Sequence, residues 1–290
     1  MLGSHLLAVD LRCELGEGPT WDYHRRRGHF VDIDRGVLFE FEMAEPFQVR
    51  EVLRRETTLG AALHADGGGF LIAQGGTLQH VGQTGRVLRE FEVIAPGVAS
   101  RLNDGAADPA GRYLVGSLAL DGRSGQERLW RLETDGSITV IDDDLNLSNG
   151  IGWSPDGGTL YSVDSIPGII WVRSYDADSG RTGVRHKLAE LTDGTPDGLT
   201  VDALGNLWVA IWGRGEIRVL DPGGSLLEVV EVAAPHPTSC AFVGDELRTL
   251  LITTAGRQVG DVPRTQWCGA LFVAEVAVSG RPTTGWVPVV

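Results

Sequence analysis

Residues 154–164 read SPDGGTLYSVD. The first five are turn chemistry: proline fixes φ, aspartate can bond its own backbone, and glycine accepts positive φ. The last six are a short apolar strand rich in residues that suit a pleated, half-buried surface. The same order, turn and then strand, recurs as YHRRRGHFVDI (23–33), ADGGGFLIAQ (65–74), DPAGRYLVGS (108–117), DALGNLWVAI (202–211) and VGDELRTLLITT (243–254). Gly28, Gly69, Gly111, Gly158 and Gly205 mark the turns at intervals of 41, 42, 47 and 47 residues, and Glu246 takes the sixth place 41 residues on. A unit of this period cannot bury both of its faces alone, so its copies must pack on one another. Six copies of about 48 residues fill the 290 of the chain.

Each copy continues into a second apolar strand: Leu38 to Phe41, Leu78 to Val81, Leu129 to Leu132, Trp171 to Tyr175, Ile217 to Leu220 and Leu271 to Val273. Hairpin signals follow most of them, as in Thr134-Asp135-Gly136 and Asp221-Pro222-Gly223-Gly224. Forty glycines, about twice usual usage, are spread evenly and punctuate the repeat. Nothing reads as a long helix. Several short strands per unit of over 40 residues match the four-stranded blade of a propeller. The expectation is an all-β, six-bladed β-propeller spanning residues 1–290 as one domain. Its ring would be closed by the last apolar stretch, Trp286 to Val290, paired with N-terminal strands.

The formal charge of −14, with no basic run longer than Arg25-Arg26-Arg27, leaves no surface for neutralising phosphates, so nucleic acid is not an expected partner. No stretch approaches the roughly 18 apolar residues of a membrane helix, and the N-terminus has neither a basic start nor a long apolar segment. A soluble, cytoplasmic protein is expected, and the sequence is silent on its oligomeric state. Cys13, Cys240 and Cys268 lie far apart with no CxxC spacing, which suggests buried thiols.

In a propeller the strand that opens each blade lines the axis, so a fixed offset in the repeat becomes a ring at one height. Aligning GEGPTWD, RLNDGAAD, LSNGIGWS and TPDGLTVD on their last residues places Glu17, Asn103, Asn149 and Asp197 at one offset, five before Asp22, Asp108, Ser154 and Asp202. The same count gives Thr238 in the sixth blade and Ala62 in the second. Aspartate or asparagine before glycine is ordinary turn chemistry taken singly, but turn formation alone does not put four in register. Two carboxylates and two amides converging on an axis call for a countercharge, and all-oxygen donors favour a hard divalent cation. A central metal site follows.

At these residues the chain resembles the senescence marker protein, regucalcin and gluconolactonase family of six-bladed propellers. The resemblance runs from about Leu15 to Thr254, through LGEGPTWD, RLNDGAADPAGRYLVGSL, LSNGIGWSPDGGTLYSVDS and TPDGLTVDALGNLWVAIWGRGEIRVLDPGG. It implies one divalent ion, Ca²⁺ first with Zn²⁺, Mn²⁺ or Mg²⁺ as alternatives, held by Glu17, Asn149 and Asp197. It implies that Arg101 and Asn103 contact substrate beside the ion. Where mammalian members carry two acidic residues, this chain reads SLALDG, which leaves Asp121 to reach a substrate hydroxyl.

The implied activity is a metal-dependent hydrolase opening sugar (aldono-) lactones, with Asp197 doubling as ligand and catalytic base for the attacking water. A phosphotriesterase-like hydrolase and a non-catalytic propeller binding calcium or a protein partner are the alternatives. No GxSxG elbow, phosphate loop or HExxH pattern occurs. His64 could line the mouth of the site, His236 belongs to a rim loop, and Trp212 reads as a blade-packing aromatic.

Overall fold

The computed structural model describes residues 6–44, 47–257 and 263–289. They form six four-stranded antiparallel sheets, the blades of a propeller. From the axis outward, blade 1 is Gly16–Asp22, Arg27–Asp32, Val37–Glu42 and Gln48–Arg54. The inner strands of blades 2 to 6 are Leu59–His64, Ser100–Ala107, Ser148–Trp153, Thr195–Val201 and Pro237–Val243. Each quoted turn joins an inner strand to the second strand of its blade. In DALGN, for example, the Asp202 carboxylate accepts the amides of Leu204 and Asn206 at 2.8 and 2.9 Å, while Gly205 takes φ of 91°.

The second strands are covered on both faces by neighbouring blades, which is why Leu71–Ala73 and Leu207–Ile211 read as unbroken apolar runs. Trp208 meets Phe242 edge-on at 5.4 Å and Trp21 lies 5.9 Å from Phe41, so large aromatics fill the seams between blades 5, 6 and 1. Outermost strands such as Leu226–Glu231 are largely exposed.

The ring closes differently from the sequence expectation. Blade 6 takes its outermost strand, Leu6–Val9, from the N-terminal end of the chain, paired antiparallel to Leu271–Glu275 through Leu6↔Val273 and Leu7↔Phe272. The C-terminal stretch does not join a blade. Pro282 and Pro288 lack the amide a ladder needs, and Trp286 makes only an isolated bridge to Ala65, with Val290 outside the described residues.

That stretch instead runs across one end of the channel and touches the far end of every blade. Gly280 N donates to Leu247 O (2.7 Å), Ala203 N to Ser279 O (2.9 Å), and Arg281 Nη1 to Ser154 O (3.1 Å). Trp21 N donates to Thr283 Oγ1 (3.5 Å), Asp66 N to Trp286 O (2.8 Å) and Val287 N to Gly111 O (3.0 Å). Trp286, 1% exposed, is buried in the apolar cluster of blades 2 and 3 and anchors the segment.

Candidate active site

At the opposite end, where the inner strands begin, Glu17, Asn103, Asn149 and Asp197 share one cavity of about 180 Å³. Local backbone chemistry turns them inward. Gly18 (φ 53°) follows Glu17 and Gly150 (φ 25°) follows Asn149, and each marks a β-bulge in its inner strand. Two buried carboxylates of the second strands fix the chain just upstream of the ring residues. Asp32 accepts the amides of Glu14 (2.9 Å) and Leu15 (3.2 Å), and Asp164 those of Asn146 (3.1 Å) and Leu147 (3.0 Å). Both stand fifteen positions after their ring residue, 17 to 32 and 149 to 164. Inner strands also approach closely, since a Cβ on Gly150 would lie 2.6 Å from the Asp197 carbonyl oxygen.

A hydrogen-bond relay runs along one wall. Arg101 Nη1 donates to Asn103 Oδ1 (2.6 Å) and Leu102 O (3.0 Å), Asn103 Nδ2 donates to Asn149 Oδ1 (2.9 Å), and Asn149 Nδ2 donates to Ser165 Oγ (3.0 Å). The relay fixes both amide orientations and leaves one lone pair of Asn149 Oδ1 for another partner. Opposite it, among the described residues, Glu17 Oε2 accepts only the Gly18 amide (2.9 Å), and Asp197 Oδ1 is buried with no hydrogen-bond partner.

Burial pushes both carboxyls well above the usual carboxylate range. Asp197 and Asp104 raise Glu17 further, and Asp104 raises Asp197 against the opposing pull of Arg257 and Arg101. A cation beside two such carboxyls relieves that burden, and the donors are all oxygens, so the set fits a hard divalent ion. Among the described residues no three His, Cys, Asp or Glu side chains cluster as a metal site, so the fit needs Asn149 as third donor.

Arg101 belongs to the same cavity, and among the described residues its hydrogen bonds reach no carboxylate. Asp121 is not brought to it. That residue lies beyond the end of strand Tyr113–Ala119, with its side chain 48% exposed and paired to Arg123 at 2.9 Å, beside a separate depression. Thr238 is turned into the seam between blades 6 and 1, donating to Gly16 O (2.5 Å).

His64 closes the inner strand of blade 2 at the far end of the channel, among Asp22, Arg25 and His29, so it does not line the mouth. His236 is buried with its ring 4.4 Å from Trp212. Trp212 lines the cavity, where a purely packing role was expected. Ser165 and Arg257 also line it and were not anticipated. Ser165 follows the Asp164 clamp and could have been found by extending the repeat alignment. Arg257 falls after the sixth unit has left register, so no spacing points to it. Asp104 faces a second, lower chamber of about 110 Å³ and is pushed up to about 6 by burial.

A ring of carboxylates and amides at one mouth of a six-bladed propeller defines a class of channel-site proteins in which chemistry sits on the axis. The family described as SMP-30/Gluconolactonase/LRE-like matches residues 15–256, and the chain belongs to it. It is 34% identical to pentonolactonase XacC of Haloferax volcanii, over 94% of this chain and 95% of that one. It is 32% identical to a 6-deoxy-6-sulfogluconolactonase of Pseudomonas putida, over 92% of each. Among solved structures, a calcium-binding regucalcin of Agrobacterium tumefaciens matches with a TM-score of 0.89 at 25% identity, over 98% of this chain and 97% of that one.

Proposed function

We propose that the protein is a divalent-metal-dependent hydrolase that opens sugar lactones, with Glu17, Asn149 and Asp197 holding the ion. The observation that carries the reading is Asp197 Oδ1, without a hydrogen-bond partner among the described residues and buried beside Glu17 in a cavity that also holds Arg101 and Asn103. Ca²⁺ is the first choice of ion, with Zn²⁺, Mn²⁺ and Mg²⁺ as alternatives, because oxygen donors suit hard cations.

When bound, a divalent cation polarises an ester carbonyl and lowers the pKa of water. The chain's own residues supply the rest. Asp197 orients the attacking water and takes its proton on the carboxylate oxygen that does not hold the ion, and that proton returns to the ring oxygen as the C–O bond breaks. Glu17 balances the ion's charge, and Asn149 is held in place by Asn103 and Ser165. Arg101, anchored through Nη1, offers the rest of its fork to substrate oxygens. Trp212, Leu118 and Leu147 supply an apolar wall suited to the C–H face of a sugar ring. The activities for which the two lactonase relatives are named support the same substrate class.

Metal-stripped protein, reloaded with each ion and offered a lactone panel read by acid release, tests this. Rate enhancement with at least one ion is expected. Spontaneous rates with every ion, or a phosphotriester hydrolysed far faster than any lactone, would overturn the reading.

A further inference from the structure

Among the described residues, four formally charged side chains line the cavity: Glu17, Asp197, Arg101 and Arg257. The two carboxylates are assigned to the ion. The two guanidiniums reach the cavity from different parts of the ring. Arg101, 7% exposed, spends its hydrogen bonds on a backbone carbonyl and an amide oxygen, both neutral. A buried guanidinium without a directly bonded carboxylate is costly unless something negative visits it.

Arg257 follows the second strand of blade 6 and sits at the rim. Its guanidinium carbon is 5.8 Å from the centre of the Trp212 ring, and Nη1 lies 3.2 Å from Asp34 Oδ2. With Trp212 backed by the His236 ring at 4.4 Å, the Arg257 fork rests on a firm platform. Burial disfavours the charged form of Arg101, the carboxylate of Asp34 favours it, Arg257 disfavours it, and Glu17 and Asp197 favour it, so assigning those two ring carboxylates to an ion leaves Arg101 with less compensation. Hydroxyls of a neutral sugar could be met by Asn103, Ser165 and Thr195, which need no second cation.

We propose that the substrate is a lactone carrying an oxyanionic group away from its ester carbonyl, and that Arg257 together with Arg101 receives that group. This rests on the lactonase reading above. Carboxylate, sulfonate and phosphate monoester share the required chemistry, two or more charged oxygens presented to a guanidinium fork.

The test is kcat/KM for one aldonolactone ring bearing a terminal hydroxymethyl, carboxylate, sulfonate or phosphate group, on the metal-loaded full chain and on Arg257→Ala and Arg257→Lys. The readout is the anionic-to-neutral ratio within each preparation, which cancels losses of folded or loaded enzyme. Wild type should prefer at least one anionic form by roughly tenfold or more at low ionic strength, with the preference shrinking in salt. Arg257→Ala should bring the ratio toward one, chiefly through KM, and Arg257→Lys should retain part of it. Which anion leads separates the three sources.

A neutral lactone preferred by wild type, or a ratio untouched in Arg257→Ala, would overturn the proposal while leaving lactone hydrolysis standing. Failure to open any lactone would remove the hydrolase reading. Calorimetry of the open-chain sugar dicarboxylate against the monocarboxylate still decides the anion site in that case, and equal affinity for both would overturn it.

Discussion

Asn103 and Asn149 share a ring offset but differ in what their amides already hold. Asn103 has both ends engaged, accepting from Arg101 and donating to Asn149 and to Ser148 O, whereas Asn149 Oδ1 keeps a lone pair toward the axis. Asn103→Ala should therefore leave most metal affinity and lower kcat, while Asn149→Ala, Glu17→Gln and Asp197→Asn should each lose metal affinity together with orders of magnitude in turnover. Parallel metal titration and kinetics check this, and equal affinity loss in both asparagine variants would make Asn103 a fourth ligand. Arg101→Ala should keep the metal and lower kcat/KM by roughly 10- to 150-fold, the range for losing one charged hydrogen bond. The four ring residues were legible because a repeat turns equal offset into equal height. Arg257 was not, because a rim residue after the last strand obeys no period, and Asp121 misled because its loop leads away from the axis.

One step up, blades 1 and 4 owe the precision of the site to two paired devices, a glycine bulge after the ring residue and an aspartate of the second strand that clamps the amides just before it. Asp164→Ala would leave the Asn146 and Leu147 amides without their partner, at a cost of about 1–3 kcal/mol. Its expected signature is a loss of metal affinity larger than that of a core substitution with the same drop in Tm, such as Leu160→Ala. Equal affinities in the two variants would reduce Asp164 to a purely structural role. The strands and turns were readable from the sequence since local chemistry specifies them: apolar runs bounded by Asp and Gly. Closure was not, because an edge strand accepts any partner with free amides, and whether Leu6–Val9 or the C-terminal stretch supplies it is settled by tertiary geometry and by two prolines.

Across the whole molecule, the proposed ion would link metal binding to acidity. The folded, metal-free protein holds Glu17, Asp197 and Asp104 protonated above their ordinary range, Asp104 from 3.8 to about 6. A raised folded pKa means stability that is complete below the unfolded value and is lost as pH climbs through the folded one. The ion competes with those protons, so the gap in Tm between loaded and stripped protein should widen from about pH 4 through about pH 6 and beyond. Scanning calorimetry at a series of pH values measures it, and a gap that narrows over that window would contradict the assignment. The C-terminal segment that touches the far end of all six blades has a consequence of its own. The propeller is a cup and not a pipe: whatever enters must leave by the same door. On the proposed reading, acid formed inside has to back out against incoming lactone, so added product should inhibit competitively, and sustained turnover should be limited by traffic at a single threshold.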